Sequence, residues 1–251
     1  MEQKNEIGYE IKGKVSYLQI DGDGSMTPAA LLSALEEIAI LHSDSLGYSI
    51  RYMTEHRRFW SVVNWRLKIY RMPKYGEDFT LWTWSDKIAR FQANRSFQLR
   101  DGEGNVLMDG VSRWVFMDVE KRKPANIPPD MPERYRSDKA SAIPDEKFLF
   151  PKTTEGDCIC ERDMVVTRRD TDTNHHANNV KYLEWVMDDI PDAIYEDMAL
   201  RDVRIVYRKE CMRGDTVTVK TFLRDTEEGK TVDSFLYEGE TIVAQIITEW
   251  A

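Results

Sequence analysis

WRLKIYRMPKYGEDFTLWTW, residues 65–84, decides the fold because the chain contains a version of it twice. Its counterpart is VRIVYRKECMRGDTVTVKTF, residues 203–222, which shares Tyr-Arg followed by Gly-x-x-apolar-Thr. A second stretch, VLMDGVSRW at 106–114, aligns without gaps on IVAQIITEW at 242–250. The offsets of the two pairs are 137 to 138 and 136 residues. Such agreement between separate stretches indicates an internal duplication.

Each half shows the same order of elements, a helix followed by strands. In the first half, Thr27-Pro28 is a helix N-cap followed by proline at the first helical position, and Gly47 is a suitable stop. Apolar residues then alternate with polar ones, as in a half-buried strand. The predicted strands of this half include Val63–Ile69, Phe79–Trp84, Phe91–Leu99 and Val111–Met117.

The second half repeats this pattern. A helix is predicted from about Asn178 to Asp189, and four strands follow it. These strands lie near 203–209, 216–223, 232–238 and 241–249. One helix followed by an antiparallel meander predicts an α+β fold in which each sheet wraps around a helix.

A proline-rich segment separates the two halves. Six of the nine prolines lie between 124 and 151, and proline fixes φ and removes a backbone donor. The sequence therefore predicts an N-terminal unit at 1–125, an extended linker at 126–151 and a C-terminal unit at 152–251.

The composition is that of a globular protein. The 251 residues carry a net charge of −9, which argues against a general nucleic-acid binder. No apolar run approaches the ~18 residues of a membrane span, and the charged N-terminus resembles neither a signal nor a transit peptide. Three cysteines, an odd number, fit a reducing cytoplasm better than a disulfide framework.

The stretch RRDTDTNHHANNVKYLEW, residues 168–185, concentrates histidine, amide and carboxylate groups. A metal site is disfavoured because His175 and His176 are neighbours and their side chains diverge. An acid–base site fits better. Asp172, Asn174 and His176 are spaced by two, so in an extended lead-in they share one face at the start of a helix.

A helix start favours developing negative charge, and His176 can exchange a proton near neutral pH. A purely structural interpretation also stands, because Asn178 or Asn179 is most simply an N-cap. His175 is expected to be a solvent-facing neighbour, and His42 and His56, which have no companion motif in the sequence, are expected to be structural.

Asp-x-Asn-x-His, Asn-Asn-x-x-Tyr and the downstream Glu210-Cys211 together resemble the acyl-acyl-carrier-protein (acyl-ACP) thioesterases. The resemblance covers nearly the whole chain and implies a tandem, or double, hotdog fold without a cofactor or metal. By this resemblance, five residues match the catalytic positions of the family, each with the same residue type: Asp172, Asn174, His176, Glu210 and Cys211. Unlike the plant members, the chain lacks a transit segment, which resembles the bacterial relatives and implies a cytoplasmic enzyme.

The resemblance leaves the mechanism open. Either Cys211 is the nucleophile with His176 as base, or Glu210 and His176 activate a water. The first half has Met72-Pro73 or Pro73-Lys74 at the place of Glu210-Cys211, so a single active site is expected. The first half would instead shape an acyl pocket, from four apolar residues: Leu31, Leu35, Ile38 and Trp65.

The predicted activity is hydrolysis of fatty acyl-ACP thioesters in fatty acid biosynthesis, by a monomer or homodimer. An acyl-CoA thioesterase is the main alternative, and a non-catalytic acyl-binding protein is a further one. A dehydratase fits less well, because no His precedes a suitable Pro-Gly turn. Carrier proteins of this kind are acidic, so a local basic cluster should receive them. Three candidates exist: Arg57-Arg58, Lys121–Lys123 and Arg168-Arg169, of which the last precedes the helix-start motif.

Overall fold

A computed structural model describes residues 8–144, 146–153, 156–172 and 175–251. The chain divides into two compact units. The first contains the chain up to Trp65 and again from Met72 to Glu146, and the second contains Arg66–Arg71 and Lys147–Ala251.

In the first unit, one long helix packs on the sheet. Thr27 is the N-cap of the helix α1, as the sequence predicted. Its side chain accepts a hydrogen bond from the Ala30 N–H at 3.1 Å. Its apolar face packs on β1 and β3. The elements of this unit are β1 Tyr9–Lys14, α1 Pro28–Ser45, α2 Ile50–Glu55, β2 Arg58–Ile69, β3 Asp78–Ala89, β4 Gln92–Asp101, β5 Val106–Asp118, β6 Lys123–Pro124 and α3 Met131–Arg134.

The second unit repeats the plan with a shorter helix. Its elements are β7 Asp157–Val165, α4 Asn179–Met187, α5 Asp192–Tyr195, β8 Leu200–Tyr207, β9 Thr216–Thr226, β10 Gly229–Glu238 and β11 Thr241–Trp250. The strand order is β1-β3-β4-β5-β2 in the first unit and β7-β9-β10-β11-β8 in the second. Equivalent strands therefore occupy equivalent places, which confirms the duplication and the α+β class.

Two details differ from the sequence predictions. In β2, Trp65, Leu67 and Ile69 are buried as predicted. Val63 was predicted to be buried with them but is only partly buried, and its neighbour Val62 is buried instead. The proline-rich segment is not wholly extended, since it contains α3 and buries Met131. Trp84 Nε1 donates to the carbonyl of Ala140 at 3.0 Å, which fastens part of this segment to the sheet of the first unit.

None of the helices in the described part of the chain has the length and apolar character that crossing a bilayer requires.

Candidate active site

The polar stretch of the second unit begins with a short 3-10 helix, Arg168–Asp170, that is closed by a capping box. The Asp170 carboxylate accepts from the Thr167 N–H at 2.7 Å and from the Thr167 hydroxyl, and it is buried. The Asp170 carbonyl accepts from the Asn178 N–H at 2.7 Å. Asp170 therefore joins the approach to the site to the start of α4.

Between these points the chain reverses direction. Thr171 and Ala177 pair as an antiparallel bridge, and the Asp172 N–H donates to the His176 carbonyl at 2.8 Å. The Asp172 side chain accepts from the His176 N–H at 3.2 Å. The expected extended lead-in with one shared face is therefore wrong, because backbone bonds across the turn hold Asp172 opposite His176. Asn174 lies outside the described residues.

His175 and His176 occupy different environments within this turn. His175 has a φ of 65°, a left-handed conformation that few residues other than glycine and asparagine adopt easily, and it is exposed, as predicted. The side chain of His176 is 22% exposed, so it is partly shielded from solvent.

The helix start follows directly. Asn178 is the N-cap, and its side-chain oxygen accepts from the Val180 N–H at 2.9 Å. The hydroxyl of Tyr207, at the end of β8, donates to the carbonyl of Asn179 at 2.9 Å. The start of α4 is thus held both by its own cap and by the neighbouring sheet.

The segment after β8 supplies the other half of the site. The Ala177 N–H donates to the Cys211 carbonyl at 2.8 Å, and His176 pairs with Met212 as a bridge. This pairing brings His176 Nε2 to 3.4 Å from Glu210 Oε2. The imidazole of His176 and the carboxylate of Glu210 are therefore adjacent, although the two residues are 34 positions apart in the sequence.

Cys211 is fully buried behind this pair. Its N–H donates to the hydroxyl of Tyr182 at 3.2 Å, and burial raises the pKa of its thiol. Burial also raises the pKa of Tyr182, so this phenol stays protonated under all physiological conditions. Burial therefore holds both the Cys211 thiol and the Tyr182 phenol in their neutral forms.

The first unit contains the same scaffold without these groups. Its bridges Ile20–Met26 and Ser25–Lys74 are the counterparts of Thr171–Ala177 and His176–Met212. The Met26 N–H donates to the Pro73 carbonyl at 2.8 Å, the same bond that Ala177 makes to Cys211. Pro73 is thus the equivalent of Cys211. Of the two alignments that the sequence left open, the structure therefore supports Met72-Pro73, and not Pro73-Lys74, as the counterpart of Glu210-Cys211. Ser25 is the equivalent of His176.

The sequence prediction missed two supports of the site, Asp170 and Tyr207. Tyr207 belongs to the repeated Tyr-Arg pair, so the repeat itself contained a signal for it. Tyr182 is the tyrosine of the Asn-Asn-x-x-Tyr motif, and its hydroxyl contacts the backbone of Cys211. Among the described residues, no group of three or more His, Cys, Asp and Glu side chains is placed to bind a metal.

Family models match both halves of the chain. The model described as the acyl-ACP thioesterase N-terminal domain matches residues 6–135, and the acyl-ACP thioesterase C-terminal domain matches residues 156–251. The chain belongs to the acyl-ACP thioesterase family. It is 25% identical over 226 residues to oleoyl-acyl carrier protein thioesterase 1, chloroplastic, of Arabidopsis thaliana, and the match covers 84% of this chain and 62% of that protein. The chain thus spans less than two thirds of the length of this relative.

Solved structures agree with the family. A structure described as an oleoyl thioesterase from Lactobacillus plantarum matches with a TM-score of 0.88 and 25% identity, over 98% of this chain and 96% of that one. An acyl-ACP thioesterase from Bacteroides thetaiotaomicron matches over 100% of both chains, with a TM-score of 0.86 and 22% identity. These matches confirm the hotdog fold of the family.

Proposed function

We propose that the protein hydrolyses fatty acyl-ACP thioesters and releases a free fatty acid and the carrier protein. The observation that carries the proposal is the His176–Glu210 pair, with Nε2 and Oε2 3.4 Å apart, at the helix start of a chain of this family. A separation of 3.4 Å is long for a hydrogen bond, and such catalytic contacts commonly shorten when substrate binds.

In the proposed reaction, a water attacks the thioester carbonyl carbon. His176 and Glu210 together take the proton from this water, with the carboxylate stabilising the imidazolium cation. The carbon–sulfur bond then breaks, and His176 returns the proton to the departing thiolate. The start of α4 favours the negative charge that develops on the carbonyl oxygen.

Water is favoured over Cys211 as the nucleophile. A thiolate is the reactive form of cysteine, and burial raises the pKa of the Cys211 thiol instead of lowering it. The Cys211 side chain is also fully buried, so an acyl group on it would need space that the packed residue does not have. Its role in this scheme is to pack behind Glu210 and to bind Ala177 through its carbonyl.

The two halves would divide the work between them. Residues 1–125 form the acyl-pocket half, 126–151 the linker and 152–251 the catalytic half in this scheme. Apolar character and burial support the pocket, and four fully buried residues are proposed to line it: Leu31, Leu35, Ile38 and Trp65. The three cysteines are free, which supports a reducing compartment such as the cytoplasm.

A substrate comparison tests the proposed activity. The kcat/KM of the purified protein is measured over a series of acyl chain lengths, each attached to an acyl carrier protein and to CoA. Release of free fatty acid, with a higher kcat/KM for the carrier-protein thioester, is the expected result. A higher kcat/KM for the matched acyl-CoA would replace the assignment with an acyl-CoA thioesterase, and no hydrolysis of either would indicate a binding protein.

A further inference from the structure

Three exposed arginines lie beside the turn that is closed by the Thr171–Ala177 bridge, which we call the catalytic turn after the proposed function. Arg168 and Arg169 belong to the 3-10 helix that leads into the turn, and Arg213 follows Met212 in the loop between β8 and β9. We refer to Arg168, Arg169 and Arg213 as the basic patch. The sequence alone singled out the first two of these residues but not the third.

Backbone hydrogen bonds hold the two parts of the basic patch together. The Gly214 N–H donates to the Val166 carbonyl at 2.9 Å, and the Val166 N–H donates to the Asp215 carbonyl at 3.0 Å. These bonds align the loop after β8 with the chain that leaves β7. Arg213 therefore lies on the same edge of the unit as the 3-10 helix.

The same bonds place the basic patch next to the proposed chemistry. The carbonyl of Arg168 accepts from the Thr171 hydroxyl at 2.9 Å, at the first residue of the catalytic turn. Met212, which precedes Arg213, pairs with His176. A partner that contacts the basic patch would thus present its attached group close to His176.

The positive charge of the patch is not neutralised within the described part of the chain. No described carboxylate lies within ion-pair distance of these three guanidinium groups, whereas Arg66, Arg162 and Arg204 of the same unit all form ion pairs. The two nearest acidic residues in sequence are directed at backbone donors. Asp170 accepts from the Thr167 N–H, and Asp215 accepts from the Met212 N–H at 2.7 Å.

Two apolar side chains on the same edge are also exposed. Val165, at the end of β7, is 54% exposed, and Met212 is 43% exposed. Apolar side chains flanked by arginines are typical of protein-binding surfaces, where methionine and arginine are enriched. A small anion would use the arginines but would gain nothing from Val165 and Met212.

We infer that the basic patch, with Val165 and Met212, is the surface that docks an acidic acyl-carrier protein. This inference rests on the proposed function and adds the surface through which it operates. The net charge of −9 would repel an acidic partner over the molecule as a whole. Charges are screened beyond about 8 Å at physiological salt, so the local positive field at the patch determines the docking geometry.

Charge reversal at the patch tests the inference, with a matched reversal elsewhere as the control. The test variant is Arg168→Glu with Arg213→Glu. The control is Lys152→Glu with Arg224→Glu, which changes the net charge equally at two exposed residues. The strand β9 begins close to the patch at Thr216, and Arg224 lies eight residues further along it. An extended strand rises about 3.3 Å per residue. It is therefore far from the patch along β9.

The test variant is expected to raise KM for the acyl-carrier protein by about 10-fold at low salt and to flatten its salt dependence. The control should keep the wild-type KM and salt dependence. Equal effects in both variants would overturn the inference, because net charge alone would then explain them. An equal rise in KM for the matched acyl-CoA would also overturn it, since the arginines would then bind phosphates that both carriers share.

Two further measurements separate the inference from the function on which it rests. If the wild-type protein hydrolyses neither carrier, the proposed function fails. If it hydrolyses the acyl-carrier protein and the test variant has unchanged KM, only the docking surface is wrong. A small soluble thioester, which has no carrier, reports on the chemistry, and a parallel loss of its hydrolysis would show that the arginines act in the active site.

Discussion

His175 and His176 are neighbours in the sequence, yet the backbone gives them separate tasks. A left-handed residue is needed to close the catalytic turn, and the equivalent residue in the first unit is Gly24, with a φ of 81°. His175 occupies that place and is exposed. Because the turn reverses at this point, the next residue, His176, is directed to Glu210. The conformation of one histidine thus positions the other.

Replacement of the two histidines should separate these tasks. We expect His176→Ala to lower kcat by about 10²–10⁴-fold, because general acid–base help of that size is lost. His175→Asn is the matched control, since asparagine tolerates a positive φ where alanine would add strain, and it should keep kcat. Ser25→Ala, at the equivalent of His176 in the first unit, should also keep it. Similar losses at His175 and His176 would refute the assigned roles.

Glu210 and Cys211 are adjacent but differ in exposure and charge. The carboxylate of Glu210 is 40% exposed and faces His176, whereas the Cys211 thiol is fully buried with a raised pKa. A group that is buried and neutral contributes packing, and a group that is charged and accessible can take part in proton transfer. The mechanism therefore depends on which of the two residues tolerates replacement.

Cys211→Ala should retain measurable activity, whereas Glu210→Gln should lose about 10²–10⁴-fold in kcat. Rapid mixing should show no acyl-enzyme burst with the wild-type protein. Mass spectrometric detection of an acyl group on Cys211 would instead establish the covalent route.

At the scale of elements, the strands and helices could be predicted well and the catalytic turn could not. Alternation and capping are local signals, so α1, α4 and the strands of both meanders appear near their predicted places. The turn at 171–177 depends on the pairing of His176 with Met212, a contact between distant parts of the chain. No window of sequence around His176 contains that information. The family resemblance identified Glu210 as a site residue, but it did not predict the contact between Glu210 and His176.

The two helix starts offer a matched pair of caps. Asn178 caps α4 beside the site, and Thr27 caps α1 in the first unit. Asn178→Ala and Thr27→Ala should each lower the free energy of unfolding by about 1 kcal/mol. Only Asn178→Ala should also lower kcat, because Asn178 lies two residues after His176, and the neutral cap Asn178→Ser should restore both. Denaturant unfolding and kinetics measure the two effects, and a loss of kcat in Thr27→Ala would contradict a local role for the cap.

At the scale of the whole molecule, the two units share one scaffold, and in the part of the chain that the structure describes Ser25 and Pro73 of the first unit take the places of His176 and Cys211. In both units a 3-10 helix with a capping box precedes the long helix, formed by Ser16 with Gln19 in the first unit and by Thr167 with Asp170 in the second.

The first unit also contains a buried pair of a histidine and an arginine. His42 Nδ1 lies 2.9 Å from Arg95 Nη1, and each side chain is almost fully buried.

This buried pair predicts how the stability of the protein depends on pH. Burial and, to a smaller extent, the neighbouring Arg95 cation together lower the pKa of His42 to about 3, and Nδ1 must stay unprotonated to accept from Arg95. In the unfolded chain the pKa of histidine is about 6.5. Between these values the unfolded state binds the proton and the folded state does not. The contribution of His42 is therefore complete above pH ~6.5 and falls by up to about 1.4 kcal/mol per pH unit as the pH decreases towards 3.

The measurement is urea unfolding of the wild-type protein and of His42→Gln at several values between pH 7 and pH 4.5. Glutamine can accept a hydrogen bond from Arg95 but does not titrate, so the variant should lose less stability over this range than the wild-type protein. His56→Gln, on the exposed end of α2, is the control and should follow the wild-type curve. Carboxylates titrate in both proteins and cancel in the difference. Parallel curves for the wild-type protein and His42→Gln would show that His42 takes up its proton in the folded state, against the burial and the arginine contact on which the prediction depends.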